Sequence, residues 1–306
     1  MGRFHSFGQK DFDYWGSKLS QHFPRRDFLD QPRIGLILGT GWSNPAVLEK
    51  EGFICEMEIS FAKLGLNSKS GSGHPNAFKF GTWHGENVVI SAGRFHRFQD
   101  NNVGKDSLIR RWMALLIYFM NGSNRLVITS AVGGLGDRAK EDMIVMPTGI
   151  VSAHLPMPFL IGSDGEFVMS EHLLSSSAEM YTTTRIEVLA SAAMLAECQC
   201  LLTGTHYVVP GPGFGGATER RLWASWGCDT VGMSLDPELR LIAVENMDNR
   251  PTDAVGLFQE TDIRVFPALF VSDAHDIPDN NEIQARAQLM APKLGKFLSH
   301  IVQSKW

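Results

Sequence analysis

The chain has 306 residues, 43% hydrophobic and 20% charged, with a formal net charge of −5. That balance suits one large α/β domain or two smaller ones, with a core that needs no disulfide or metal staple. It gives no electrostatic case for nucleic acid or an anionic membrane, and apolar runs such as the 8 residues from Met113 to Met120 are too short to span a bilayer.

Residues 1–32 set Phe12, Tyr14, Trp15, Leu19 and Phe23 among charges, a pattern for an amphipathic helix packed outside a sheet. The first 30 residues lack an apolar h-region, so no signal peptide is expected. Met1 to Ser6 formally match a myristoylation consensus short enough to recur by chance. Cys55, Cys198, Cys200 and Cys228 fit neither a zinc spacing nor a redox pair and read as reduced thiols of a cytosolic protein.

Arg33 to Leu38 is a continuous apolar run suited to a buried strand. It feeds Gly39-Thr40-Gly41-Trp42, which is neither a Walker A loop nor a dinucleotide fingerprint. Small residues there let N–H groups and a hydroxyl face an anion, and an ordinary tight turn is the other reading. Lys69 to Asn76 is a polar loop carrying His74. Phe78 to Gly81 and Val88 to Ala92 then read as a hairpin turned at Trp83 to Asn87.

Arg94 and His96 follow the hairpin in Gly93-Arg94-Phe95-His96-Arg97-Phe98. In an extended segment they point the same way, as an anion clamp would, or as a strand end with chance charges would. Asp106 to Asn121 is expected as a helix, and Arg125 to Thr129 as a buried strand ending in the small residues Ser130 to Gly134. Asp142 to Ser152 is β-rich, residues 156–177 are loop-like, and Glu179 to Glu197 reads as a long helix.

Leu201 to His206 leads into Tyr207-Val208-Val209-Pro210 and the glycine-rich run Gly211 to Gly216. Thr218 can cap a helix that buries Leu222, Trp223 and Trp226 and stops at Gly227. Thr230 to Ser234 is a second strand, and Asp236-Pro237 starts another helix as N-cap and N1. This strand–helix–strand–helix unit places polar and backbone-rich groups at strand C-terminal ends, where open α/β sheets bind ligands. Ala254 to Phe258 reads as one more strand, ending at Gln259 to Asp262, and Asn280 to Gln303 as a C-terminal helix with an interruption at Pro292. The expectation is a single α/β domain, residues 1–306, with a mixed twisted β-sheet and helices on both sides.

Taken together, the strand-end segments resemble the trimeric-type purine nucleoside phosphorylases and the related methylthioadenosine phosphorylases. Gly35 to Gly41 looks like that family's phosphate loop, Ser72-Gly73-His74 like its Gly-His segment, and Gly93 to His96 like its Gly-Arg-x-His motif. Thr129 to Leu135, Gly211 to Phe214, and Val231 to Ser234 with Pro237-Glu238 are similar to its later motifs, in family order.

The resemblance implies a mixed sheet flanked by helices, a homotrimer, and phosphorolysis of a nucleoside to free base and pentose 1-phosphate. Inorganic phosphate is the co-substrate, and no cofactor or metal is called for. It implies that Thr40, His74, Arg94, His96, Ser234 and the Ala131 backbone hold phosphate. Phe98 and Met233 would touch the sugar, and Val132, Gly133, Phe214, Gly215 and Gly232 would line the base and ribose site. Asn280 falls near the sugar's 5′ contact, and Asp262 and His96 are the catalytic candidates.

The sequence departs from the family at two places that matter. Gly215 stands where the 6-oxopurine enzymes carry a base-reading Glu, and Glu219 one turn on is either a substitute or a surface residue. Asp262 falls where 6-oxopurine enzymes carry Asn and methylthioadenosine phosphorylases carry Asp, which points to a 6-aminopurine. Gln99 replaces a family Glu beside His96, and Phe98 replaces a frequent Tyr. Two other readings share these residues: a nucleosidase using water, and a catalytically silent binder of nucleoside or phosphate.

Overall fold

Ile34–Leu38 (β1) is apolar and buried at every position, so it needs a neighbour on each edge and cover on both faces. It runs parallel to β4 (Glu86–Ala92) on one side and to β5 (Arg125–Gly134) on the other. The computed structural model describes residues 31–67, 75–100, 107–120, 122–152, 183–248, 263–274 and 280–306. The expected N-terminal helix, the loop of residues 156–177 and the strand Ala254 to Phe258 lie outside them.

The hairpin is present: β3 (Ala77–Trp83) pairs antiparallel with β4 around His84 and Gly85, whose φ angles are +51° and +82°. A strand that the sequence did not announce, β2 (Phe53–Ser60), adds to the outer edge of β3. Only Phe53 and Ile59 of β2 are buried, too few to show alternation.

Beyond β5 the sheet closes on itself. β5 pairs with β8 (Thr230–Gly232), β8 with β7 (Cys200–Val208), and β7 with β6 (Ile144–Val151). β6 meets β9 (Arg264–Asp273), and β9 returns to β5 in parallel from Arg125 to Gly133. The result is a five-strand ring that carries β2, β3, β4 and β1 as an open wing. β9 also went unannounced in the sequence. Its Pro267 argues against a central strand, but it sits where β9 has β5 alone as a neighbour and a missing N–H is tolerated.

Helices cover both faces. α1 (Pro45–Lys50) is capped by the Asn44 side chain and α2 (Leu108–Phe119) by Ser107. α3 is Thr183–Leu195, α4 is Ala217–Ser225, α5 is Asp236–Asp248 and α6 is Asn280–Gln303. One core joins α2 and α5 to Phe78, Phe80, Ile128 and Val271. The other joins α3 and α6 to Leu36, Leu38, Phe266 and Phe270. This is the expected mixed α/β fold.

Three boundaries differ from the sequence reading. Ser130 to Gly134 belong to β5 itself, because β9 pairs with Ser130 to Gly133 and β8 with Gly133 and Gly134. The cap of α4 is at Gly216, whose N–H donates to Glu219 Oε2 at 2.8 Å, so Thr218 is not the cap. α6 runs unbroken through Pro292, which lies on its exposed side, where a missing i→i−4 bond is least disruptive.

Candidate active site

The loop after β1 is glycine-rich for a steric reason. A β-carbon at Gly39 would stand 2.9 Å from both Ser130 Cα and the Thr129 oxygen, and 3.5 Å from Arg94 Nη2. The loop is tied to the end of β5: Gly39 N–H donates to Thr129 Oγ1 at 3.2 Å, and Trp42 Nε1 donates to the Ser130 carbonyl at 3.2 Å. Trp42 does not intrude on the loop. It is 1% exposed and packs edge-on against Phe297 of α6.

Arg94 leaves β4 just after Gly93 and turns inward. Its Nη1 donates to Glu238 Oε1 at 3.3 Å, and its Nη2 to the carbonyls of Ile37 and Thr129. Both charged side chains are 2% exposed. Burial pushes the Glu238 carboxyl up, and the Arg94 charge pulls it back. Burial likewise draws Arg94 down against the pull of Glu238, and a guanidinium remains protonated there. Arg94 and His96 reach one cavity, as the expected clamp requires, and the Arg94 guanidinium also faces a carboxylate.

His96 lies nearly parallel to Phe98, with centroids 6.0 Å apart and planes at 9°. Gln99 Oε1 accepts the His96 backbone N–H at 2.7 Å. Phe98 and Met233 crowd Gly211, where a β-carbon would come within 2.8 Å of each. Beneath them β7 places His206, fully buried, with Nδ1 and Thr230 Oγ1 sharing a 2.9 Å hydrogen bond. Burial lowers its pKa from 6.5 to about 3, with the Ser234 backbone opposing, so the ring is neutral.

A third cluster surrounds position 215. Gly215 has φ +83°, and a β-carbon there would land in the Trp223 ring. Trp223 is held by stacking on Tyr207, with centroids 4.7 Å apart. One turn before Trp223, Arg220 is 4% exposed and donates from Nη2 to Asp273 Oδ2 at 2.9 Å and to the Gly134 carbonyl at 3.1 Å. Glu219 is spent on capping α4 and does not substitute for the missing side chain.

These clusters open on one cavity of ≈ 500 Å³. Thr40, Arg94, His96, Ala131 and Ser234 line it, each expected. So do Phe98, Val132, Gly133, Phe214, Gly232 and Met233. Gly215 stands behind the wall against Trp223. His74 and Asp262 lie outside the described residues, and Asn280 opens α6 with no described side chain. Lining residues that fall outside every motif singled out in the sequence are Ser272 and Asp273 at the end of β9, and Ile283 and Gln284 of α6. An apolar run ending in Ser-Asp was the available signal, and Pro267 obscured it. Among the described residues no three His, Cys, Asp or Glu side chains are grouped to hold a metal ion, and no helix is long and apolar enough to cross a membrane.

Residues 33–243 match the sequence profile of the Phosphorylase superfamily. Over 224 residues the chain is 25% identical to purine nucleoside phosphorylase 1 of Bacillus subtilis, covering 71% of this chain and 76% of that protein. It is 25% identical over 241 residues to purine nucleoside phosphorylase of Mus musculus, covering 76% of each. Its fold is similar to the crystal structure of Schistosoma mansoni purine nucleoside phosphorylase in complex with adenosine, with a TM-score of 0.70 and 17% identity over 97% of this chain and 98% of that one.

Proposed function

The chain belongs to the phosphorylase superfamily, and from that premise we propose that it releases the base of a purine-type nucleoside by phosphorolysis. The observation that carries this reading is the cavity itself: Thr40, Arg94, His96, Ala131 and Ser234, distant in sequence, open on the same space as Phe98, Phe214 and Met233. An anion and an apolar, ring-bearing molecule fit side by side in it.

In the proposed reaction a phosphate oxygen bonds to C1′ as the bond from C1′ to the purine nitrogen breaks. The bonding pair leaves with the purine, which takes up a proton, and pentose 1-phosphate remains. The Thr40 and Ser234 hydroxyls, the His96 ring and the Ala131 backbone orient phosphate, with His74 in the role that the resemblance implies. Arg94 contributes its charge from behind. The bound anion lies beside the sugar cation that develops as the bond breaks, and fixed dipoles need no reorganisation to stabilise it. Phe98 and Met233 pack on the sugar, with Asn280 toward its 5′ end, and Phe214, Val132, Gly133 and Gly232 enclose the base. We assign a base-edge carboxylate to Asp273, which lines the cavity; the expected Asp262 lies outside the described residues. An acceptor there favours a 6-aminopurine. Phosphate is the co-substrate, and a homotrimer belongs to the same reading, checked by sedimentation at the mass of three chains.

The test is base release from adenosine, inosine, guanosine and methylthioadenosine, with and without phosphate. Phosphate-dependent release is expected. A second reading, hydrolysis by water, is favoured by one observation: Arg94 already faces Glu238. Equal release without phosphate establishes that reading, and nucleoside binding with no release at all establishes a silent binder.

A further inference from the structure

The cavity wall carries a carboxylate, Asp273, which is 5% exposed and ion-paired to Arg220 at 2.9 Å. A buried carboxylate in a ligand cavity repels an anion, so phosphate belongs with the Thr40 and Arg94 cluster and Asp273 falls to the other partner, the base. No side chain at position 215 can assist, because its β-carbon would enter the Trp223 ring. Instead Arg220 lies directly behind Gly133, a cavity-lining residue whose β-carbon would stand 2.7 Å from Nη2 and 2.8 Å from Nη1. Nη1 is buried and makes no hydrogen bond. The printed hydrogen bonds of this five-donor side chain go to one carboxylate and one carbonyl, and Gly133 stands between it and the cavity.

We propose that Arg220 is the positioning residue that sets base selectivity: it fixes Asp273 in the cavity wall as an acceptor-only carboxylate, so the site takes a base that presents an amino group there and rejects one that presents a carbonyl. This rests on the proposed nucleoside site for the location of the base. Two features fix the geometry of the pair. Ser272 Oγ, which donates to the Val132 carbonyl at 3.2 Å, reaches Asp273 Oδ1 only at 3.5 Å, so Arg220 makes the shorter contact. Trp223, stacked on Tyr207, walls α4 so that the Arg220 stem has one direction to run. The repulsion between a carbonyl edge and the Arg220-paired carboxylate is the discriminating term, and a pair of matched donor and acceptor is its converse.

The experiment measures equilibrium binding of free adenine and free hypoxanthine to the full-length chain by calorimetry, in the presence of phosphate. The unaltered protein should bind adenine at least roughly tenfold more tightly. Asp273→Asn should bring the adenine-to-hypoxanthine ratio down by roughly tenfold or more. Arg220→Met should lower it similarly, and Arg220→Lys should restore most of it, since an ammonium can still hold the carboxylate. A merely structural Arg220 would weaken both bases together and leave the ratio alone. Because Arg220→Met strands a buried carboxylate and can fail to fold, the charge-balanced pair Arg220→Met with Asp273→Asn is made beside it and should match Asp273→Asn. Equal affinity for the two bases in the unaltered protein overturns the proposal, as does an unchanged ratio in Asp273→Asn, in the folded Arg220→Met protein or in the double variant. Base binding needs no turnover, so the proposal can stand or fall separately from the release assay: a correct ratio without base release retires phosphorolysis and keeps the selectivity device.

Discussion

Glu238 of α5 and Arg94 beyond β4 form an ion pair of 3.3 Å in which neither side chain is more than 2% exposed. The pair joins a helix start to the loop where phosphate is proposed to bind, so Arg94 serves stability as well as the site. Arg94→Ala strands the Glu238 carboxylate, and a loss of roughly 3–5 kcal/mol is expected. Arg94→Met with Glu238→Leu should recover most of that stability, because apolar groups of similar volume often replace a buried pair without loss. Turnover should stay at least about a hundredfold down in both, since the fixed positive charge is gone. Urea unfolding and base-release rates measured on the same preparations separate the two effects. Full activity in the double variant would remove Arg94 from the site.

His206 makes the protein acid-labile. Its folded pKa, about 3, lies below the ordinary 6.5 because burial disfavours the charged ring. The stability it contributes is therefore complete above pH 6.5 and is lost as pH falls through the folded value. From pH 6.5 to roughly pH 5 the expected loss is about 2 kcal/mol, at 1.36 kcal/mol per pKa unit. His206→Gln should flatten that slope by one proton whatever it does to stability at neutral pH. Unfolding curves taken at several pH values read the slope, and an unchanged slope would sink the assignment.

Gly215→Glu should fail to install a base-reading carboxylate. The position has positive φ, and the new side chain meets Trp223 at its first carbon. Backbone strain and overpacking together are expected to destabilise by roughly 2–4 kcal/mol. The preference between amino and oxo bases should not move. A variant that melts with the unaltered protein and gains affinity for hypoxanthine would show that the loop can rearrange around Trp223.

Ser234→Ala tests the proposed phosphate site without touching a charge. Ser234 is 3% exposed and lines the cavity. Loss of one hydrogen bond to an anion should raise the phosphate KM about tenfold or more, while thermal stability changes by less than about 1 kcal/mol. The KM for nucleoside should move much less, which distinguishes lost phosphate binding from general damage.

The sequence reached the strand ends better than it reached the walls between them. Ile34–Leu38 was legible because a run with no polar break has to be doubly buried, and the hairpin was legible because Gly85 follows His84 between two largely apolar runs. β2 was not, since six of its eight positions are at least partly exposed and show no period. β9 was hidden by Pro267, and Asp273 with it. Arg220 lay beyond any local pattern: a charged residue on a helix reads as solvated, and the carboxylate that makes it a buried one is 53 residues away. Trp223 explains Gly215 in the same way, by a contact in space that helical spacing does not reveal.

The five-strand ring has a consequence for how the protein comes together. Its closing seam joins Arg125–Gly133 to Arg264–Asp273, so a loop of well over a hundred residues must be drawn in before those strands meet. Contacts of that range form slowly, because chain entropy is lost before the seam repays it. Asp273 rides on the closing strand. Adenine affinity should therefore return during refolding no sooner than the amides of β9 become protected from hydrogen exchange, and the chain should assemble its anion loop before it can tell one base from another.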